Sequence, residues 1–261
     1  MVEHAVRLRT GGQPGPVLLL LHGLGATSEV WDGLLAEADR HWPGRWLAPD
    51  LPGHGGSAPL DQYTFTSMAA ALAAALAVTL DAEPVTILGH SLGGVLALEL
   101  ASGRHGITPA GVVGVGIKIA WTAEELDRAA ALARRPVATF PTEGAAIDRH
   151  LKVAGLTGLV PPEDPRARAG VRATPDGWRL ALDPATFGIG APDMPALLAA
   201  ARCPVLLAAG ERDPMVDAAQ LRALAPGAAV LPGIGHNAHL ENPALVGRLL
   251  PAWQDSEDGL G

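Results

Sequence analysis

The chain contains a single cysteine, so no disulfide can form within it. Cys203 precedes Pro204 at the start of an apolar stretch, where a small buried residue suits the packing, and we interpret it as structural. Histidines, cysteines and carboxylates do not show metal-ligand spacing, and no glycine-rich loop carries the lysine of a phosphate-binding loop. The sequence therefore predicts no metal and no other cofactor.

Positive charge is also in short supply, with 19 Lys and Arg against 27 Asp and Glu, a formal net charge of −8. This balance argues against nucleic acid or an anionic membrane surface as a partner. The longest uncharged helical run, residues 65–80, is shorter than the roughly 20 residues that span a bilayer. Residues 1–7 lack the apolar core of a signal peptide, so we expect a cytoplasmic protein.

Apolar strands and helical segments alternate along the chain, within the size of one α/β domain. Strands are predicted near residues 2–9, 16–21, 45–49, 84–89, 110–117, 203–209 and 227–231, and helices near 29–41, 64–80, 92–103, 217–225 and 242–253. This order predicts a mostly parallel, doubly wound sheet flanked by helices. The first two strands are predicted to form an antiparallel hairpin at one edge, and the acidic residues 254–261 a disordered tail.

The most informative stretch is Thr86-Ile87-Leu88-Gly89-His90-Ser91-Leu92-Gly93-Gly94, which leads from an apolar strand into a helix. The glycines on either side of Ser91 form the G-x-S-x-G pattern of a tight strand-to-helix turn, where a side chain would collide. Such a turn exposes the serine hydroxyl, which also needs an adjacent base and donors for the oxyanion. We therefore predict that Ser91 is a nucleophile.

An oxyanion site is predicted from His22-Gly23-Leu24-Gly25, a loop that follows five apolar residues. Such a loop can direct a backbone N–H at a developing negative charge, and the N–H groups of Leu24 and Leu92 are the natural pair. Only the main chain carries this role. We interpret His22 as a residue that holds the loop rather than as a base.

Two histidines near the C-terminal end compete for the role of base. His236 follows a glycine directly after a short strand, so its ring can reach over the sheet, whereas His239 lies near a helix start and is interpreted as a packing residue. Asp213, just past a buried strand, is predicted to orient His236, while Asp217 is interpreted as a helix N-cap. The catalytic residues then follow the order Ser, Asp, His.

The chain resembles the α/β-hydrolase superfamily over most of residues 3–253, in a form with a small cap. The matching motifs are His22-Gly23-Leu24-Gly25, Asp50-Leu51-Pro52-Gly53-His54-Gly55-Gly56-Ser57, Gly89-His90-Ser91-Leu92-Gly93-Gly94, Gly210-Glu211-Arg212-Asp213 and Gly235-His236. The resemblance implies a serine esterase, lactonase, thioesterase or carbon–carbon bond hydrolase. Related dehalogenases would carry Asp in place of Ser91, which argues against that branch.

Residues 121–194 interrupt the rhythm of strands and are predicted to form a mainly helical cap, with residues 1–120 and 195–253 forming the core. An insertion at this place usually covers the active site and supplies substrate contacts. Candidate substrate-binding residues are Trp121, Phe140, Phe187, Met194 and Met215, and Trp178 is a further candidate for the pocket wall. The alternative is that the cap residues among them pack the cap onto the core.

The cap segment 121–180 carries nine basic and eight acidic residues, so charge favours neither an anionic nor a cationic substrate. We predict hydrolysis of a carboxylic ester or related acyl bond in a neutral, fairly apolar small molecule, through an acyl-enzyme on Ser91. A lactonase or carbon–carbon bond hydrolase with the same triad is the nearest alternative. A lyase, a cofactor-free oxidative enzyme and a non-catalytic ligand-binding protein stay open, as do the natural substrate and the oligomeric state.

Overall fold

The computed structural model describes residues 5–81 and 83–251. The start of the predicted first strand (2–4), the end of the last predicted helix (252–253) and the predicted tail (254–261) lie outside the described residues. Within the described ranges, no helix is long and apolar enough to cross a membrane.

A seven-stranded sheet forms the centre of the fold, in the order β1-β3-β2-β4-β5-β8-β9. Its strands are β1 (Leu8–Gly12), β2 (Val17–Leu21), β3 (Arg45–Pro49), β4 (Val85–His90), β5 (Gly111–Val115), β8 (Val205–Gly210) and β9 (Ala229–Leu231). All neighbours are parallel except β1, which pairs antiparallel with β3. This is the mostly parallel sheet of the α/β-hydrolase fold that the sequence predicts, and the prediction is confirmed.

The predicted hairpin between the first two strands is wrong, because β3 lies between them. β2 is fully buried, with side chains that alternate between the two cores on opposite faces of the sheet. Such a strand needs a partner on each side, and β3 and β4 supply them. β1 is partly exposed and needs only one neighbour, so it lies at the edge of the sheet beside β3.

Helices cover both faces of the sheet. They are α1 (Asp32–His41), α2 (Phe65–Leu76), α3 (Leu92–Ala101), α7 (Met194–Ala200), α8 (Ala218–Leu224), α9 (Ala238–Glu241) and α10 (Pro243–Gly247). α2, α3, α7 and α8 bury apolar side chains in one core, and α1, α9 and α10 in the other. The strand ends that carry the motifs are thereby held between two packed layers.

Between β5 and α7 lies the segment that is predicted to form the cap and is called the cap below, with helices α4 (Ala123–Ala133), α5 (Glu143–Val153) and α6 (Pro165–Arg168). It also holds a two-stranded antiparallel sheet of β6 (Val171–Thr174) and β7 (Gly177–Leu180), which is not among the strands predicted from the sequence. A two-residue turn at Pro175 and Asp176 joins the strands, and Gly177 follows with a φ of +130°.

Hydrogen bonds attach this cap to the core on two sides. On one side the Gly55 N–H donates to the Ala181 carbonyl at 2.7 Å, and the Asp183 N–H donates to the Gly53 carbonyl at 2.8 Å. On the other, the Asn237 side-chain amide donates to the Gly155 carbonyl at 2.9 Å. The cap is therefore fixed both to the loop after β3 and to the loop that carries His236.

Candidate active site

Ser91 stands in the turn between β4 and α3 with φ +50° and ψ −115°, the sole non-glycine residue with positive φ in the part of the chain that the structure describes. A Cβ on Gly89 would lie 2.4 Å from the Gly93 carbonyl oxygen, and one on Gly93 would lie 2.1 Å from the Leu21 carbonyl oxygen. Both glycines are therefore steric requirements of the turn. The Ser91 N–H donates to the Val115 carbonyl at 2.9 Å, which ties the turn to β5.

The loops after β8 and β9 bring Asp213 and His236 together. His236 Nδ1 lies 2.8 Å from Asp213 Oδ2, while Asp213 Oδ1 accepts a hydrogen bond from the Met215 N–H at 2.8 Å. The Asp213 side chain is fully buried. With its Nδ1 proton donated to Asp213, His236 keeps Nε2 as the basic nitrogen, and both His236 and Ser91 line one cavity.

The competing residues of the sequence analysis have other contacts. Asp217 caps α8 by accepting the Gln220 N–H at 2.8 Å. The His239 ring is buried between Trp31 and His90, with centroids at 4.6 and 4.5 Å, and burial lowers its pKa to about 3. Neither residue contributes to the Asp213–His236 pair.

Leu24 and Leu92 both line the same cavity. Leu92 is the first residue of α3, and the first N–H groups of a helix have no acceptor within the helix. Leu24 lies in the loop after β2, and His22 supports that loop by accepting the Leu51 N–H at Nε2 (2.9 Å) and donating from Nδ1 to the Gly23 carbonyl (2.8 Å). Burial lowers the pKa of His22, which keeps the ring neutral in this bridging role.

His90, which directly precedes Ser91, has no role predicted from the sequence. Its ring lies 4.8 Å from the His236 ring, and its Nε2 is 3.0 Å from the His236 carbonyl oxygen. Burial, reinforced by His239 and His236, holds the pKa of His90 well below its usual value. A neutral His90 thus donates Nε2–H to the backbone carbonyl of His236, the predicted base. The sequence signal that could have identified this residue is its position directly before Ser91.

The cavity has a volume of about 410 Å³ and its wall is mostly apolar. Of the predicted substrate-binding residues, Trp121, Phe187 and Met215 line it. Phe140 and Met194 do not, which corrects their proposed place in the wall. Phe140 exchanges backbone hydrogen bonds with Trp178 and packs against the core beneath the cap, and Met194 is buried in the opposite core at the start of α7.

Two residues of the cavity wall, Lys118 and Lys152, had no predicted role. Lys118 follows β5 and forms an ion pair with Glu125 at the start of α4, whereas Lys152 lies in the last turn of α5. Among the described residues, no group of three or more His, Cys, Asp or Glu side chains could hold a metal ion.

A model of the alpha/beta hydrolase family matches residues 18–249. An uncharacterised protein of Mycobacterium tuberculosis is 43% identical over 88 residues, which are 33% of this chain and only 25% of that protein. A 2-succinyl-6-hydroxy-2,4-cyclohexadiene-1-carboxylate synthase of Escherichia coli is 30% identical over 249 residues, 90% of this chain and 92% of that enzyme. The solved structure of an E-2-(acetamidomethylene)succinate hydrolase has a TM-score of 0.79 and 25% identity, and the match covers 97% of this chain and 96% of that one.

Proposed function

Because the chain belongs to the alpha/beta hydrolase family, we propose that it is a serine hydrolase that cleaves a carboxylic ester or related acyl bond. The observation that carries the proposal is the 2.8 Å contact between His236 and Asp213 beside a strained Ser91 in a single cavity. The mostly apolar wall suits a substrate with an apolar body.

In the proposed mechanism, His236 Nε2 takes the hydroxyl proton of Ser91 as the oxygen attacks the substrate carbonyl. The N–H groups of Leu24 and Leu92 stabilise the oxyanion, and Asp213 stabilises the imidazolium. His236 then gives the proton to the leaving group. Water, activated by the same histidine, hydrolyses the acyl-enzyme and releases the acid with Ser91 restored.

Hydrolysis of 4-nitrophenyl esters from acetyl to lauroyl tests this proposal, with wild type and Ser91→Ala purified in parallel. We expect Ser91→Ala to lower kcat by about 10⁴ or more, since residues of such a triad act as a unit. Ser67→Ala serves as a control, because Ser67 lies in the first turn of α2, where it forms a capping box with Thr64, and is not part of the cavity wall. Near wild-type turnover by Ser91→Ala would refute the nucleophile.

Labelling with a fluorophosphonate gives a second readout that does not depend on the choice of ester. The reagent forms a covalent bond with an activated serine, so mass spectrometry of the digested protein identifies the modified residue. We expect modification at Ser91, and its absence in Asp213→Ala, where the orientation of His236 is lost.

Lyase chemistry on the same residues is the second candidate, favoured by the match to the Escherichia coli synthase over 90% of this chain. Identification of the products separates the two, since hydrolysis adds the elements of water across the broken bond and elimination does not. Identification of the products would also show whether the substrate is a lactone or is cleaved at a carbon–carbon bond. A cytoplasmic location and the lack of a nucleic-acid or membrane partner stay predictions.

A further inference from the structure

The charged side chains in the cavity wall are all of one sign. Lys118 and Lys152 line the cavity, and no Asp or Glu is among the described residues of its wall. Most of the remaining wall is apolar, so the charged side chains that an entering anion meets in the wall itself are both cationic. This excess of positive charge in the wall is not predicted from the cap sequence, in which acidic and basic residues nearly balance.

The charge of Lys118 is already compensated. Its ammonium forms an ion pair with Glu125 and lies 4.7 Å from the centre of the Trp121 ring. Glu125 also accepts the Thr122 N–H at 2.9 Å, so the pair fixes the start of α4 to the end of β5. We therefore assign Lys118 a structural role in holding the cap.

Lys152 has no such partner. Its side chain is exposed, and its ammonium forms no ion pair or hydrogen bond with any residue that the structure describes. Asp148 lies one helical turn earlier on α5 but forms no ion pair with it. The next residues along the chain, Val153 and Ala154, lie against Gly25 of the predicted oxyanion loop, which places the end of α5 beside the predicted reaction centre.

We propose that Lys152 binds an anionic group of the substrate, such as a carboxylate, which an apolar spacer separates from the bond that Ser91 attacks. The inference rests on the proposed hydrolase function and names a substrate class for it: acyl compounds with a negatively charged end. This differs from the neutral substrate that the charge balance of the cap predicts. A cation at the rim also attracts an anionic substrate over distance, an effect that salt weakens.

Matched pairs of substrates test the role of Lys152. The mono-4-nitrophenyl ester of adipic acid is compared with 4-nitrophenyl hexanoate, which has the same chain length without the charge. 4-Acetoxybenzoate is compared with phenyl acetate, so that an anion in the leaving group is tested as well. Rates with Ser91→Ala are subtracted as the uncatalysed background.

The variants are Lys152→Gln, Lys152→Arg and Arg149→Gln. Arg149 is also exposed on α5, but it is not part of the cavity wall, so its removal changes the net charge equally without changing the site. We expect wild type to prefer the anionic member of at least one pair in kcat/KM. Lys152→Gln should lower that preference about tenfold, the effect of one hydrogen bond to a charged group.

Lys152→Arg and Arg149→Gln should keep the preference, and 0.5 M NaCl should reduce it in wild type. Ser91-dependent turnover with no charge preference, or a preference that survives in Lys152→Gln, would overturn this inference and leave the hydrolase function intact. Absence of Ser91-dependent turnover on all four esters, together with no fluorophosphonate labelling, would refute the proposed function and the inference with it.

Discussion

At the scale of single residues, Ser91 combines its proposed role as the nucleophile with a strained backbone. A φ of +50° with a ψ of −115° lies outside the regions that residues with a Cβ prefer, and such strain costs about 1–3 kcal/mol. Glycine adopts these angles freely. The turn is nevertheless maintained because the Ser91 N–H donates to the Val115 carbonyl of β5, and because Gly89 and Gly93, two positions away on each side, allow a close approach of the backbone.

We therefore predict that Ser91→Gly is more stable than Ser91→Ala by about 1 kcal/mol, although both are inactive. Urea denaturation of the two variants measures the difference in their free energies of unfolding. The comparison leaves out the hydroxyl, since both variants lack it. Equal stabilities would mean that the turn relaxes when the serine is replaced.

The contact between His90 and His236 leads to a prediction about how the proposed base is positioned. His90→Phe removes the donor to the His236 carbonyl and leaves that oxygen unpaired. We expect kcat to fall by about 10²-fold with little change in KM, the cost of a misplaced catalytic group. His90→Gln, whose amide can donate the same hydrogen bond, should recover part of the activity. An increase in KM with an unchanged kcat would instead indicate that His90 binds substrate.

Sequence reasoning could place the motif residues because their signals are local. The glycines around Ser91 and the strand before it specify the turn by sterics alone, and the loops after β8 and β9 bring Asp213 within 2.8 Å of His236. The cavity wall was harder to predict, because Phe140 and Met194 are as apolar as Phe187. Which of them faces the cavity depends on how the cap folds back on the core, and no local pattern encodes that.

At the scale of elements, the error in strand pairing has the same origin, since pairing depends on contacts between residues that are distant in sequence. The number of residues between β1 and β2 fits a hairpin, but burial of β2 on both faces demands two neighbours, and β3 is distant in sequence. The cap hairpin escaped prediction because β6 and β7 are only four residues each and are held by packing on α5. Short strands carry little periodicity of their own.

The cap hairpin places two arginines, Arg172 and Arg179, directly opposite each other. Like charges at such positions are destabilising by about 0.2–1 kcal/mol, and neither side chain forms an ion pair with a described residue. We predict that Arg172→Thr raises Tm by about 1–3 °C at low salt. Calorimetry at low salt and in 1 M NaCl measures the effect, which should shrink as salt screens the repulsion.

Arg179→Thr tests whether the two charges act on each other. It should give a similar gain in Tm, and the double variant should gain less than the sum of the two. Fully additive gains, or gains that do not depend on salt, would instead point to the strand preference of threonine.

At the scale of the whole molecule, five buried histidines connect stability to pH. Their pKa values are all lowered by burial, to about 3 for His54 and His239 and about 4 for His150, and below the usual value for His22 and His90. These rings are neutral in the folded protein and gain protons near pH 6.5 when it unfolds. The contribution of these histidines to the free energy of unfolding is therefore fully present above pH 6.5 and decreases as the pH falls below that value.

We predict a loss of about 1.4 kcal/mol per pH unit for each such histidine between about pH 6 and pH 5, above most of the range in which carboxylates titrate. Urea denaturation at several pH values measures the slope. His150→Phe, which keeps a ring beside Gly170, should make the slope shallower by about 1.4 kcal/mol per pH unit, the contribution of one proton. A stability that is constant from pH 7 to pH 5 would contradict the prediction.

The attachment of the cap has a consequence for how this chain can change over evolution. Two of the hydrogen bonds that hold the cap join backbone atoms only, between Gly55 and Ala181 and between Gly53 and Asp183. Bonds of this kind place no demand on the side chains that face the cavity. Apart from Asn237 and Lys118, whose side chains also hold the cap, residues of that wall can therefore be substituted one at a time while the cap stays attached. Descendants of this sequence can in this way acquire new substrates without passing through an unfolded ancestor.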